Sequence, residues 1–127
     1  MDRKDLSIVR SDTYIFDVVA KRPDPDTGSL VPIDLTTGKA WFTAKRTLND
    51  LDANAVIQLS TTTSGVILLA APLGIVRVTI PPLATTSLPN DPVALQYDIQ
   101  VSDAAGVVTT IQKGLLMVEP DVTLTTP

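Results

Sequence analysis

Of the side chains that most often carry chemistry, this sequence has no cysteine and no histidine. Their absence excludes disulfides, thiol redox chemistry, the usual zinc sites, haem ligation through those residues and any imidazole base. Carboxylates, lysines and hydroxyls remain. Asp50, Asp52 and Asn54 place oxygen ligands at alternate positions, as the start of a calcium loop does. A helix-flanked calcium loop also needs Gly at its sixth position and Glu at its twelfth. Here those positions hold Ala55 and Thr61, so the segment reads as a solvated hairpin loop. Asp24 and Asp26 flank prolines and read as turn formers. Serine and threonine are abundant, but a nucleophile needs a base within hydrogen-bond reach. Lys45 has no Ser-x-x-Lys pattern near it and reads as an outward charge on a strand. Glu119 is the only glutamate, and nothing signals the cleft that a pair of carboxylates would need for glycoside hydrolysis. The doublets Lys21-Arg22 and Lys45-Arg46 read as solvated charge at strand ends. No lysine is embedded in apolar sequence on both sides, which an intramolecular Lys–Asn crosslink would require. The residues point to no catalytic group, no metal ligand and no cofactor. The expectation is a protein that is not an enzyme.

The elements that would position any surface are strands. Threonine, valine, isoleucine and leucine dominate, and ten prolines and six glycines cut the chain into short segments. Leu6 to Arg10 reads as a short first strand. Thr13 to Ala20 follows, with Tyr14, Phe16 and Val18 on one face, and Asp17 between Ile15 and Val19 on a partly covered other face. Arg22 to Gly28, with two prolines, reads as an exposed loop without regular structure. Pro32 to Thr36 reads as a short edge strand. Ala40 to Arg46 sets Ala40, Phe42 and Ala44 against Trp41, Thr43 and Lys45. Strands are also expected at Ala55 to Leu59, Val66 to Ala70 and Gly74 to Ile80, the last with its core face on the even positions. Leu83 to Leu88 fits a single helical turn. Val93 to Ser102 alternates most strictly, with Leu95, Tyr97, Ile99 and Val101 on one side. Asp103 to Gly106 is a hairpin turn into Val107 to Gln112, and Lys113-Gly114 reads as a bulge before Leu115 to Val118. Tyr97, placed after the Leu88-Pro89 turn, resembles the corner tyrosine of immunoglobulin-like sandwiches, whose hydroxyl bonds nearby backbone. Eight or nine short strands and no convincing helix predict an all-β fold, a β-sandwich or barrel, in one domain.

A length of 127 residues suits one domain with a real core, since such a chain buries about two thirds of its unfolded surface. Hydrophobic residues make up 44%, which places the chain outside disordered compositions. Ten basic residues against fourteen acidic ones leave a net charge of −4, the wrong sign for phosphate binding, so no nucleic-acid partner is expected. The most apolar run, Val66 to Ala71, is too short to cross a bilayer. No signal-peptide pattern stands behind the N-terminal Met-Asp-Arg-Lys, and the protein is expected to be made in a cytoplasm, with no membrane partner.

The order of short motifs resembles a family. Gly28-Ser29-Leu30-Val31-Pro32-Ile33-Asp34-Leu35-Thr36 is similar to a G-x-P-x-D-L-T start found in small tailed-phage structural proteins. Among these is the immunoglobulin-like N-terminal domain of the phage baseplate upper protein. Trp41 to Arg46, the Ser64 to Leu68 and Gly74 to Ile80 blocks, Thr85 to Pro89, Leu95 to Val101 and the closing Val118 to Thr123 follow in the same order. The resemblance covers about residues 13 to 123. It implies an immunoglobulin-like antiparallel β-sandwich over residues 13–120, preceded by an arm at 1–12 and followed by a tail at 121–127. It also implies a virion part made in the host cytoplasm and assembled in copies about a symmetry axis with other virion proteins. A tail, baseplate or tail-fibre adaptor is the leading expectation, and a capsid decoration protein the alternative. The apolar run Leu6, Ile8, Val9 and the terminal Thr123 and Leu124 are the expected assembly contacts. A carbohydrate-binding sandwich built on Trp41 is a further alternative, as is an enzyme with an Asp-based site. A secreted adhesin module is disfavoured by the missing signal pattern.

Overall fold

A computed structural model describes residues 2–49, 51 and 54–122. Its regular elements are strands and single 3₁₀ turns, so the protein is all-β. Among the described residues the strands are β1 (Asp2–Arg3), β2 (Leu6–Val9), β3 (Tyr14–Val19), β4 (Lys21–Pro23), β5 (Leu30–Pro32), β6 (Lys39–Lys45), β7 (Ile57–Ser60), β8 (Val66–Ala70), β9 (Ile75–Ile80), β10 (Val93–Ser102) and β11 (Val108–Glu119). The 3₁₀ turns span Ala71–Leu73 and Pro82–Ala84, each with proline in its first turn, where a missing N–H does no harm.

Three sheets organise these strands. The largest runs β1-β11-β10-β6-β7, with β2 also on β11; a second runs β3-β9-β8; β4 and β5 form a two-stranded ribbon. Both β1 and β2 pair with β11 in parallel, one after the other along the edge that β10 leaves open. Among the described residues the other strand-to-strand pairings are antiparallel. The largest sheet is therefore mixed, where the resemblance implies an antiparallel sandwich. Alternation tells which side of a strand is apolar, but says nothing about the direction of a partner a hundred residues away.

Alternation correctly sorts the buried faces. Ala40, Phe42 and Ala44 of β6 and Leu95, Ile99 and Val101 of β10 are fully buried, as are Val76, Val78 and Ile80 of β9. These faces, with Leu116 and Val118 of β11, form one continuous core between the two larger sheets. Aromatic rings run through it: Phe16 of β3 meets Phe42 of β6 edge-on at 6.1 Å, and Phe42 stacks on Tyr97 at 5.5 Å.

Three local expectations are corrected. Arg22 and Pro23 are not loop but pair with Val31 and Leu30 in the ribbon, and the loop is confined to the residues beyond them. A two-stranded ribbon consists only of edges, so Pro23 can sit there without removing an interior ladder bond. For the same reason the strand expected from Pro32 ends there, and Ile33 and Leu35 enter the core from irregular backbone. The bulge is also displaced. Ile99 pairs with Gln112 and Gln100 with Thr110, so the extra residue is Ile111, and both Ile111 and Gln112 turn inward. Gly114 instead pairs in register with Tyr97. Its lack of a side chain serves another purpose, described next.

Candidate interaction surface

The N-terminal arm is held along β11 at two points. At the first, the Lys4 N–H donates to the Lys113 carbonyl at 2.9 Å and the Leu115 N–H donates to the Asp5 carboxylate at 3.0 Å. The Tyr97 hydroxyl donates to the Lys4 carbonyl and accepts from the Gln112 side-chain amide at 2.9 Å. A Cβ on Gly114 would lie 2.8 Å from the Lys4 carbonyl carbon and 2.9 Å from the Asp5 carboxylate, so only glycine lets the arm approach so closely. The corner expectation for Tyr97 thus meets a different geometry. Its hydroxyl bonds backbone, but backbone 93 residues away rather than in its own corner. Burial pushes the Tyr97 phenol above its ordinary value of 10.0.

At the second point, the Arg10 guanidinium donates to the carbonyls of Leu88 at 3.0 Å and Thr86 at 2.7 Å. The Ser11 N–H donates to the fully buried Thr85 hydroxyl at 2.8 Å, with Ser11 at a positive φ of 68°. Between the two points β2 buries Leu6 and Ile8 in this chain's own core and leaves Val9 38% exposed. Of the expected assembly contacts, Leu6 and Ile8 therefore face inward here, and Thr123 and Leu124 lie outside the described residues. Deleting residues 1–10 removes two core side chains, so it perturbs folding before it can report on assembly.

The outer side of the six-stranded sheet holds an open cleft of about 520 Å³. Arg3, Lys45, Asp98 and Lys113 line it, with Tyr97 and Gly114. Its charges are mixed in sign, and the exposed Leu48 lines it beside them. Trp41, on the same face of the sheet, is half-buried. Asp50 and Asp52 lie outside the described residues, and among those described no group of three or more carboxylates converges as metal ligands would.

The second sheet presents a different outer face. Tyr14, Phe16 and Val18 of β3 turn inward, which puts Ile15, Asp17 and Val19 outside. On β9 the outer set is Ile75, Arg77 and Thr79, and on β8 it includes Ile67; a register shift after Ile67 brings Ala70 opposite Ile75. The register aligns Ile15 with Thr79, Asp17 with Arg77 and Val19 with Ile75, and then Arg77 with Ile67. Ile15 is 56% exposed and Ile67 53%, with Val19 close behind. At the centre the Arg77 guanidinium donates twice to the Asp17 carboxylate, at 2.8 and 3.1 Å. That contact holds the Asp17 carboxyl below the usual carboxylate range and raises the Arg77 guanidinium further. The result is an aliphatic patch from three strands around one neutralised ion pair. Exposed aliphatics are ordinary on a protein surface; here they adjoin one another across neighbouring strands of one sheet face. The sequence shows the odd and even positions of each strand but not that these three strands lie side by side.

No protein-family model matches this chain, and no curated protein matches it in sequence.

Proposed function

We propose that this protein is a non-enzymatic structural part of a tailed-phage virion, an immunoglobulin-like domain that acts through protein–protein contacts as a tail, baseplate or tail-fibre adaptor. The motif order from Gly28 to Thr123 supplies the phage reading. The observation that carries the contact role is the aliphatic outer face of β3-β9-β8, where Ile15, Val19 and Ile67 stand exposed on adjoining strands around the Asp17–Arg77 pair. Such a face is suited to packing against another protein, since burial of its aliphatic side chains is favourable without a shaped pocket.

The test is direct. Antibodies raised against the purified protein are applied to phage particles from the source of the sequence and viewed by electron microscopy, with mass spectrometry of the same particles. Label at the tail or its tip supports the adaptor reading. Label spread over the capsid replaces it with decoration, and particles that lack the chain altogether refute a virion role.

A further inference from the structure

The aliphatic face of β3-β9-β8 is uncovered in the chain, and its charge pattern selects what can cover it. We propose that it packs against the same face of a second copy, across a two-fold axis that runs along the strands between β3 and β9. The proposal names the partner for the contact role argued above, and it rests on that reading only for the place where the contact operates.

An isologous interface must be self-complementary, with each residue facing what its own image can satisfy. The chain carries a net charge of −4, so two copies repel one another unless the touching faces are locally neutral or complementary. This face meets that condition through one pair. Asp17 on β3 and Arg77 on β9 lie side by side across the ladder at its centre. An axis along the strands between β3 and β9 sets Asp17 of each copy over Arg77 of the other, closing a four-membered ring of alternating charge. An axis along β9 would instead oppose the two Arg77 side chains. An axis across the strands would oppose Asp17 with Asp17 and Arg77 with Arg77. Charge therefore selects one of the three simple two-fold arrangements.

The same axis makes use of the aliphatic positions. Val19 of one copy comes over Ile75 of the other, and Ile15 over Thr79, because these pairs flank the axis as Asp17 and Arg77 do. β8 then overhangs the outer edge of the second copy's β3, bringing Ile67 over it. Among the described residues that edge has no strand partner, and covering an open edge is a recurrent solution to unwanted strand addition.

The size of the contact sets its strength. The two strands that lie over one another, β3 and β9, about 4.8 Å apart and about six residues long at roughly 3.3 Å per residue, give a footprint of about 200 Å². A standard stable interface buries about 800 Å² per partner. The contact is therefore a weak, concentration-dependent dimer that becomes persistent when copies are already held together in an assembly.

Sedimentation velocity of the full-length protein over a wide concentration range tests the idea, using the wild type, D17R and R77D. The wild type is expected to shift from monomer to dimer as concentration rises. Each single variant places like charges at the centre of the contact and should weaken self-association by about tenfold or more. An equimolar mixture of the two variants should recover the dimer, because the arginines of one then face the aspartates of the other. Thermal melts monitored by circular dichroism verify that both variants are folded. A wild type that stays monomeric at the highest concentration overturns the proposal. So does a dimer unchanged in D17R and R77D, which would place the contact elsewhere, or a mixture that fails to associate. Labelled phage particles together with a monomeric protein would sink the self-contact and leave the virion role standing. A dimer together with unlabelled particles would do the reverse.

Discussion

Replacing Tyr97 with phenylalanine removes one oxygen at the point where the N-terminal arm meets the main sheet. The ring stays, with its stack on Phe42, so packing changes little. Two hydrogen bonds go. The bond to the Lys4 carbonyl contributes about 1 kcal/mol net. The Gln112 amide, on a residue only 5% exposed, loses its acceptor, and an orphaned buried donor costs roughly 1–3 kcal/mol. Together the loss is about 3 kcal/mol, which for a domain of this size lowers Tm by roughly 10 °C. Urea and thermal denaturation measure the global effect. Amide exchange locates it, with faster exchange expected in Leu6–Val9 than in the β10–β11 hairpin. Adding Q112L to Y97F should restore part of the loss, because the unsatisfied amide is then gone. A Y97F protein within about 0.5 kcal/mol of the wild type would refute the reasoning. So would a loss that leaves exchange in β2 unchanged.

Other outcomes follow from the same geometry. Gly114→Ala forces the arm away from Lys4 and Asp5, with an expected loss of about 1–3 kcal/mol in urea denaturation and a β2 whose amides exchange faster. Ser60→Ala removes the buried hydroxyl that lies 2.8 Å from the Thr63 hydroxyl and accepts from the Thr63 N–H at 3.1 Å; the β7–β8 turn should loosen, lowering stability by about 1–2 kcal/mol in the same assay. Acid should destabilise the fold through carboxylates held below their ordinary value of 3.8: Asp17 by Arg77, and Asp103 by the N–H groups of Val107 and Ala105 and by Arg22. For a depressed carboxyl the stabilisation is complete above the unfolded value of about 3.9 and is lost as pH falls through the lower folded value. Asp103→Asn should therefore flatten that acid limb in a pH series of melts, and an unchanged limb would count against the assignment. At the alkaline end the sign reverses. Tyr97 is raised above 10.0, so its contribution is complete below that pH and is lost as pH rises through the folded value; Y97F should remove this alkaline loss.

How much of this was legible beforehand depends on the range of each interaction. Val93 to Ser102 reads as a strand from alternation alone, and it is β10 with those limits. The inward positions of β6 and β9 follow from the same period of two, because successive side chains on a pleated strand must point to opposite sides. Asp103 to Gly106 is equally local: the Asp103 carboxylate accepts from the N–H groups of Ala105 and Val107, and Gly106 takes a φ of 82°. The ribbon of Lys21–Pro23 with Leu30–Pro32 was hidden by its prolines, which argue against interior strands but not against edges. Ile111 gave no sign of being the bulged residue, since a bulge is defined by the mismatch between two strands and neither contains it alone.

The candidate surface divides in the same way. Residue types by themselves determined the all-β character, the absence of thiol and imidazole chemistry, and the outward placement of Ile15, Asp17 and Val19 on their own strand. Tertiary structure alone decided that this outward row lies beside Ile75, Arg77 and Thr79, and next to Ile67, so that isolated exposed aliphatics become one patch around one ion pair. It also decided that the Tyr97 hydroxyl meets Lys4 rather than its own corner, and that the arm runs parallel to β11. The physical reason is common to both. Pleating assigns faces residue by residue, whereas strand order, direction and register are chosen by the burial and hydrogen bonding of the whole chain at once.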